Sequence, residues 1–143
     1  MSLEIRRFSG LSDIHELVTA ANGEGFNFLD RLVSEWNDRT NRFERPEEAL
    51  LVVETLGRVV GVGGMTRQRD GVGRVRRVYV LPDFRNHGVG RTLLNAILDH
   101  ARLHYTEVVL WTSQPSAMRL YERLGFVLES DEGPDHATHR LVL

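Results

Sequence analysis

The segment from Arg74 to Leu94 constrains this chain more than any other. A β-rich run (Val75, Val78, Tyr79, Val80) meets Pro82, and a polar turn follows. The turn ends in Gly88-Val89-Gly90, where an amphipathic helix starts at once. The first turn of a helix leaves backbone N–H groups unpaired and concentrates partial positive charge. Glycine lets an anion approach that backbone closely. A strand feeding a glycine turn at a helix start is a device for holding phosphate. The segment therefore points to a ligand with a phosphate or pyrophosphate tail.

The rest of the chain must supply a scaffold for that device. Its 143 residues suit one domain, at about 100–200 residues per domain. An apolar share of 41% and a charged share of 27% describe an ordinary soluble globular chain. Cysteine is absent, which excludes disulfides, thiolate zinc sites and cysteine nucleophiles. No basic-then-apolar leader and no apolar run of membrane-spanning length occur, so the expectation is a cytoplasmic protein with no membrane partner. A net charge of −2 argues against a nucleic-acid partner. All 18 basic residues are arginine; a phosphate loop ending in Lys-Ser/Thr is thereby excluded.

Periodicity predicts a first strand over Leu3–Phe8. A helix capped by Ser12 or Asp13 follows to about Ala21, with Ile14, Leu17, Val18 and Ala21 on one face. A second helix runs from roughly Phe26 to Asn37, and Asp38–Glu48 is a polar loop. Ala49–Glu54 and Val59–Met65 form a hairpin about Leu56-Gly57. Gly61, Gly63 and Gly64 mark the second strand as bulged or closely packed. Arg74–Leu81 is the next strand after a turn at Asp70–Gly73. The helix beyond Gly90 buries Val89, Leu93, Leu94, Ile97, Leu98 and Ala101, and carries His100 and His104 as solvated residues near its end. Glu107–Thr112 is an apolar, central strand. A short helix spans Pro115 to the C-cap Gly125. Phe126–Glu129 and Thr138–Leu143 pair last, around an acidic loop. The order β-α-α-β-β-β-α-β-α-β-β implies one domain over 1–143, an α/β (α+β mixed) fold with a mixed sheet.

Two motifs resemble the GNAT superfamily of N-acetyltransferases. Arg85-Asn86-His87-Gly88-Val89-Gly90 fits the family's Arg/Gln-x-x-Gly-x-Gly/Ala loop for acyl-CoA pyrophosphate. Ala117-Met118-Arg119-Leu120-Tyr121-Glu122-Arg123-Leu124-Gly125-Phe126 is similar to its Ala-x-x-Leu-Tyr-Glu-x-Leu-Gly-Phe segment. Both stand in the matching elements and order. The resemblance implies a GNAT-like, mostly antiparallel central sheet of about seven strands flanked by about four helices.

It further implies an acetyl-CoA-dependent N-acetyltransferase with no metal. The diphosphate would rest on the backbone of Asn86, His87, Gly88, Val89, Gly90, Arg91 and Thr92, with Arg85 and Arg91 adding charge-assisted contacts. The pantetheine arm would pair with backbone groups near Val78 and Val80, where this strand and Glu107–Thr112 splay apart. Gln114 stands where many members have asparagine and would hydrogen-bond the same arm. Tyr121 would protonate the departing thiolate as general acid; the alternative is a core tyrosine. Many members carry a glutamate base in the strand Val75–Val80, but Arg76 and Arg77 stand here. The base is left among Glu24, Glu54, His136, His139 or a water relay.

The acceptor would be a primary amine of a small molecule, peptide or protein, in a pocket formed by Asn22–Asn27 and Asp131–His139. Arg76 or Arg77 would meet a carboxylate on it. His136 and His139, three apart on a strand, alternate faces and make no joint metal site; either one faces the pocket or both lie on a solvated hairpin edge. Relatives of this kind often form homodimers. The second reading is a non-catalytic acyl-CoA sensor or partner-binding domain of the same fold. A nucleotide-dependent phosphotransferase is disfavoured, because neither a Walker lysine nor Gly-x-Gly-x-x-Gly is present.

Overall fold

The computed structural model describes residues 1–143. Seven strands form one sheet in the order β1-β2-β3-β4-β5-β7-β6. They are β1 (Glu4–Arg7), β2 (Ala49–Thr55), β3 (Arg58–Arg69), β4 (Val72–Val80), β5 (Glu107–Leu110), β6 (Val127–Leu128) and β7 (His139–Val142). Four helices accompany them: α1 (His15–Gly23), α2 (Phe28–Asp38), α3 (Val89–Arg102) and α4 (Pro115–Arg123). Every pairing is antiparallel except β4 with β5. The mixed, mostly antiparallel α/β architecture expected from the sequence is the one observed.

Local chemistry explains most boundaries. Leu56 and Gly57 both take positive φ (53° and 72°), the turn that matches the twist of a hairpin. The hairpin between β3 and β4 turns at Asp70-Gly71, so both strands run longer than their apolar pattern implies. β5 stops at Leu110, two residues short of the expected end. The first helix is not capped by Ser12 or Asp13. A 3-10 turn over Leu11–Ile14 precedes α1, and no side chain caps it. Asp13 is engaged elsewhere: Arg6 clasps its two oxygens at 2.8 and 3.0 Å, and the Ser9 N–H donates to it at 2.7 Å.

The glycines of β3 set the depth of packing. A Cβ at Gly63 would lie 3.1 Å from Leu93 and 3.2 Å from Ile97, so α3 sits directly on this face. Gly64 points to the other face, where a Cβ would meet Phe43 at 2.7 Å and the Ala49 carbonyl at 2.8 Å. On that second face Tyr79, opposite Val62, meets Phe28 edge-on at 6.1 Å. α1 and α2 pack against β4 there. His100 departs from expectation: it is half-buried rather than solvated, and burial, then the neighbouring His104, lowers its pKa.

The loop after β6 is clamped by Asp135, which is 3% exposed. Its carboxylate accepts from Arg69 (3.0 and 3.1 Å) and Arg140 (2.7 Å), and its carbonyl accepts from Arg74 at 2.8 Å. Arg69 and then Arg140 hold its pKa far below the ordinary carboxylate range.

Gly64→Ala should cost about 1–3 kcal/mol, because its neighbours are backbone and a buried ring; a chemical denaturation midpoint checks it. A carboxylate whose pKa is depressed on folding stabilises above its unfolded pKa, and that stability is lost as pH falls toward the folded value. Stability should therefore drop below about pH 4. Asp135→Asn should be less stable by about 2 kcal/mol at pH 7 and show a shallower acid slope.

Candidate active site

β4 is bonded to β3 along its length, but to β5 only at Val72–Arg74 opposite Glu107–Val109. Past Arg74 the two strands part, and the parting comes with a bulge. The register with β3 slips between Val62 and Gly64, so Arg77 and Val78 together face Gly63. Arg77 takes φ 59°, a left-handed conformation that costs about 1–2 kcal/mol for a residue with a Cβ. Its guanidinium is tied to Glu35 of α2 at 3.2 Å, and its Nε is buried without a partner. Strain at this point turns the end of β4 away from β5.

The chain then passes a 3-10 turn at Pro82–Phe84 and reaches the loop. Asn86 (φ 64°) and Gly88 (φ 82°) are left-handed, which turns the backbone sharply into α3. The first helical bond runs from Thr92 N–H to the Gly88 carbonyl at 3.0 Å. The N–H groups from Asn86 through Arg91 find no partner in the loop or first turn. No side chain caps this end, and no acidic residue stands in its first turn. Arg91 is exposed and makes no ion pair. At Gly90 a Cβ would come 3.0 Å from Leu120 Cδ2, so the start of α3 lies against the middle of α4.

Arg85 does not point freely at this cradle. Its Nη1 and Nη2 donate to both oxygens of Glu24 at 2.8 and 2.7 Å, and its Nε donates to the Val80 carbonyl at 3.1 Å. The Tyr79 hydroxyl donates to the same Glu24 carboxylate, and the Arg85 guanidinium lies over the Tyr79 ring at 5.4 Å. Arg85 and then Tyr79 hold the Glu24 carboxyl below its ordinary pKa. Burial, then Glu24, raises that of Tyr79. Of the two residues whose backbone was expected to pair with the ligand, Val80 has its carbonyl bonded to Arg85, and Val78 lies in the bulge.

Tyr121 on α4 is 6% exposed and packs edge-on to Phe126 at 5.6 Å. Its hydroxyl makes no hydrogen bond within the protein, and burial raises its pKa above that of free tyrosine. It is therefore protonated throughout the neutral range. Gln114 stands exposed before α4, with its N–H bonded to Thr112 Oγ1 at 3.2 Å and its side chain free. Of the expected bases, Glu54 is bound to Arg6 on the far strands. His139 is fully buried between Thr138 Oγ1 (3.0 Å) and Glu122 (3.3 Å), not on a solvated edge, whereas His136 is exposed. No group of three or more histidine or acidic side chains is placed to hold a metal.

Sequence reasoning missed the Glu24–Arg85–Tyr79 cluster, whose members lie 55 and 61 residues apart. It also missed a polar hollow between the loop after α2 and the ends of β3 and β4. The density of arginine in Arg39–Arg45 was the available signal.

The model of the Acetyltransferase (GNAT) family matches residues 11–126. The chain is 34% identical over 94 residues to the IAA acetyltransferase of Azospirillum brasilense, a match covering 63% of this chain and 60% of that protein. Across its curated relatives the chain spans 32–60% of their length. The crystal structure of a candidate acetyltransferase from Exiguobacterium sp. 255-15 superimposes with TM-score 0.86 at 31% identity, covering 99% of this chain and 94% of that one. A Salmonella typhimurium structure, yncA with its cofactor acetyl-CoA, shares the fold at TM-score 0.70 and 20% identity, covering 99% and 94%.

Arg85→Gln should bring the Glu24 carboxyl back up toward the ordinary value of about 4.3, read by carbon NMR of the carboxylate against pH. An unmoved Glu24 would mean that the pair does not form in solution.

Proposed function

The chain belongs to the acetyltransferase (GNAT) family, and from that premise we propose that it moves an acetyl group from acetyl-CoA directly to a primary amine. The observation that carries this reading is the row of unpartnered N–H groups from Asn86 through Arg91 at the start of α3. Backbone donors at a helix start suit a diphosphate, and exposed Arg91 adds a charge-assisted contact. Arg85 stays paired with Glu24 and braces the turn that presents these donors. The gap beyond Arg74 gives the pantetheine arm a strand edge near Val78, with the Gln114 amide at its other side.

Acetyl-CoA supplies an activated thioester and a thiolate leaving group. The amine lone pair attacks the thioester carbon, the new C–N bond forms, and the C–S bond breaks. Tyr121 donates its phenolic proton to the departing sulfur. Its raised pKa keeps that proton in place, and its free hydroxyl leaves the donor uncommitted. Glu24 serves as a positioning group: a carboxylate engaged by Arg85 and Tyr79 and held below its ordinary pKa is a poor base. The ammonium proton therefore leaves through water, which returns a proton to the Tyr121 phenolate. Absence of a carboxylate on β4 favours, as second reading, an acyl-CoA sensor without catalysis. A homodimer would cover the edge strand β6, where Val127 and Leu128 are exposed beside Val142.

Calorimetry should find acetyl-CoA and CoA binding in the micromolar range of about 1–100 μM and no binding of ATP. Absence of CoA binding contradicts the reading. Tyr121→Phe should lower kcat at least about 100-fold with acetyl-CoA affinity unchanged. Undiminished turnover would remove the general-acid role, and wild-type binding without transfer to any amine would favour the sensor.

A further inference from the structure

The hollow beside β4 has a volume of about 550 Å³ and ten lining residues, none of them apolar. Five are arginine: Arg39, Arg42, Arg45, Arg67 and Arg76. Glu44 and Glu48 are its acidic members, and neither forms an ion pair with these arginines, so beyond the Arg67–Asp70 pair four guanidinium groups face two carboxylates. Only Arg67 has a carboxylate partner, Asp70. Arg39, Arg45 and Arg76 have none.

The hollow is built rather than left over. α2 ends at Arg39 in a left-handed conformation (φ 66°), which sends the chain back across the sheet. Phe43, 3% exposed, anchors the loop in the space that Gly64 leaves without a Cβ. The Asn41 side chain accepts from Phe43 N–H at 3.0 Å. Arg42 lies over the Trp36 ring at 5.0 Å and donates its Nε to the Trp36 carbonyl at 2.9 Å. On β4, Arg76 is half-buried and donates its Nε to Thr66 Oγ1 at 3.0 Å, which leaves both terminal nitrogens free. Burial, then Arg74 and Arg77, disfavours its charge, and Glu35 and Glu48 offset only part of this. A cation only partly compensated in this setting is costly, and an anion placed among these guanidinium groups offsets the cost.

We infer that this hollow is an anion-recognition subsite and that the acceptor amine carries a carboxylate or phosphate group bound there. The assignment of the ligand as acceptor rests on the acetyl-transfer reading; the anion site itself does not. Guanidinium forks match carboxylate and phosphate geometry. A hollow of this size lined by no apolar residue suits a small, charged molecule rather than an apolar one. Its place fits the chemistry: Arg76 lies two residues beyond the last β4–β5 pair and directly before the bulge at Arg77. An anion held at Arg76 stands beside the gap where the amine must arrive.

The test uses the full chain and two independent readouts. Calorimetric titration with citrate and, separately, inorganic phosphate should show binding that weakens with added salt. It should weaken roughly tenfold or more in Arg76→Gln and in Arg45→Gln; the Arg45 side chain has no protein partner, so its loss leaves the fold intact. Thiol release is then compared for matched amines: glutamate against glutamine, and phosphoethanolamine against ethanolamine. The anionic member of one pair should be preferred at least about tenfold in kcat/KM, and that pair tells carboxylate from phosphate. Both variants should lose the preference while acetyl-CoA affinity is unchanged. No binding of citrate or phosphate to the wild type overturns the site. Acetyl-CoA binding with equal use of neutral and anionic amines overturns its acceptor role and leaves the acetyl-transfer reading standing. Failure of acetyl-CoA to bind while citrate binds removes that reading, and the acceptor role with it, but retains the anion site.

Discussion

Strand β4 keeps its hydrogen-bonding partner on one edge and loses it on the other, and the site follows from that asymmetry. Backbone N–H and C=O groups need partners. The β3 edge supplies them along the strand, whereas β5 does so only over Val72–Arg74. The left-handed Arg77 carries the bulge that turns the strand end, and its ion pair with Glu35 holds that strained residue against α2. A gap between neighbouring strands in the middle of a sheet is a place for an extended ligand. The chain leaving β4 then turns at once into α3, so the gap ends on a helix start whose donors are free.

Charge is distributed around this gap in two ways. Some arginines are fully matched: Arg6 with Asp13 and Glu54, and Arg69 and Arg140 with Asp135. These contacts hold β1 and the loop after β6 onto the sheet. Others are not matched. Arg91 at the helix start and Arg39, Arg45 and Arg76 around the hollow have no carboxylate, although the chain has more acidic than basic residues overall (20 against 18). Shortage of acid in the chain is therefore no explanation for the unpaired arginines around the hollow.

Legibility in the sequence tracked the range of the interactions involved. The loop from Arg85 to Gly90 and the helix after it were readable because glycine, helix start and apolar spacing are local. The β2–β3–β4 meander was readable for the same reason, through its two tight turns. The Asp13 cap was not: its carboxylate is claimed by Arg6 on β1. The role of Arg85 was only half visible, since its partner Glu24 lies at the end of α1. The hollow was hidden because Asp38–Glu48 has a loop's composition. Its shape depends on Phe43 filling the space opposite Gly64, which no local pattern reports.

The central claim is that the free amides from Asn86 to Arg91 hold the phosphate end of the ligand, and amide NMR tests it at those atoms. Titration of the labelled protein with acetyl-CoA should move the Asn86–Thr92 N–H resonances most, with smaller shifts at Val78 and Gln114. Large shifts confined to other surfaces, with Asn86–Thr92 unmoved, would contradict the account.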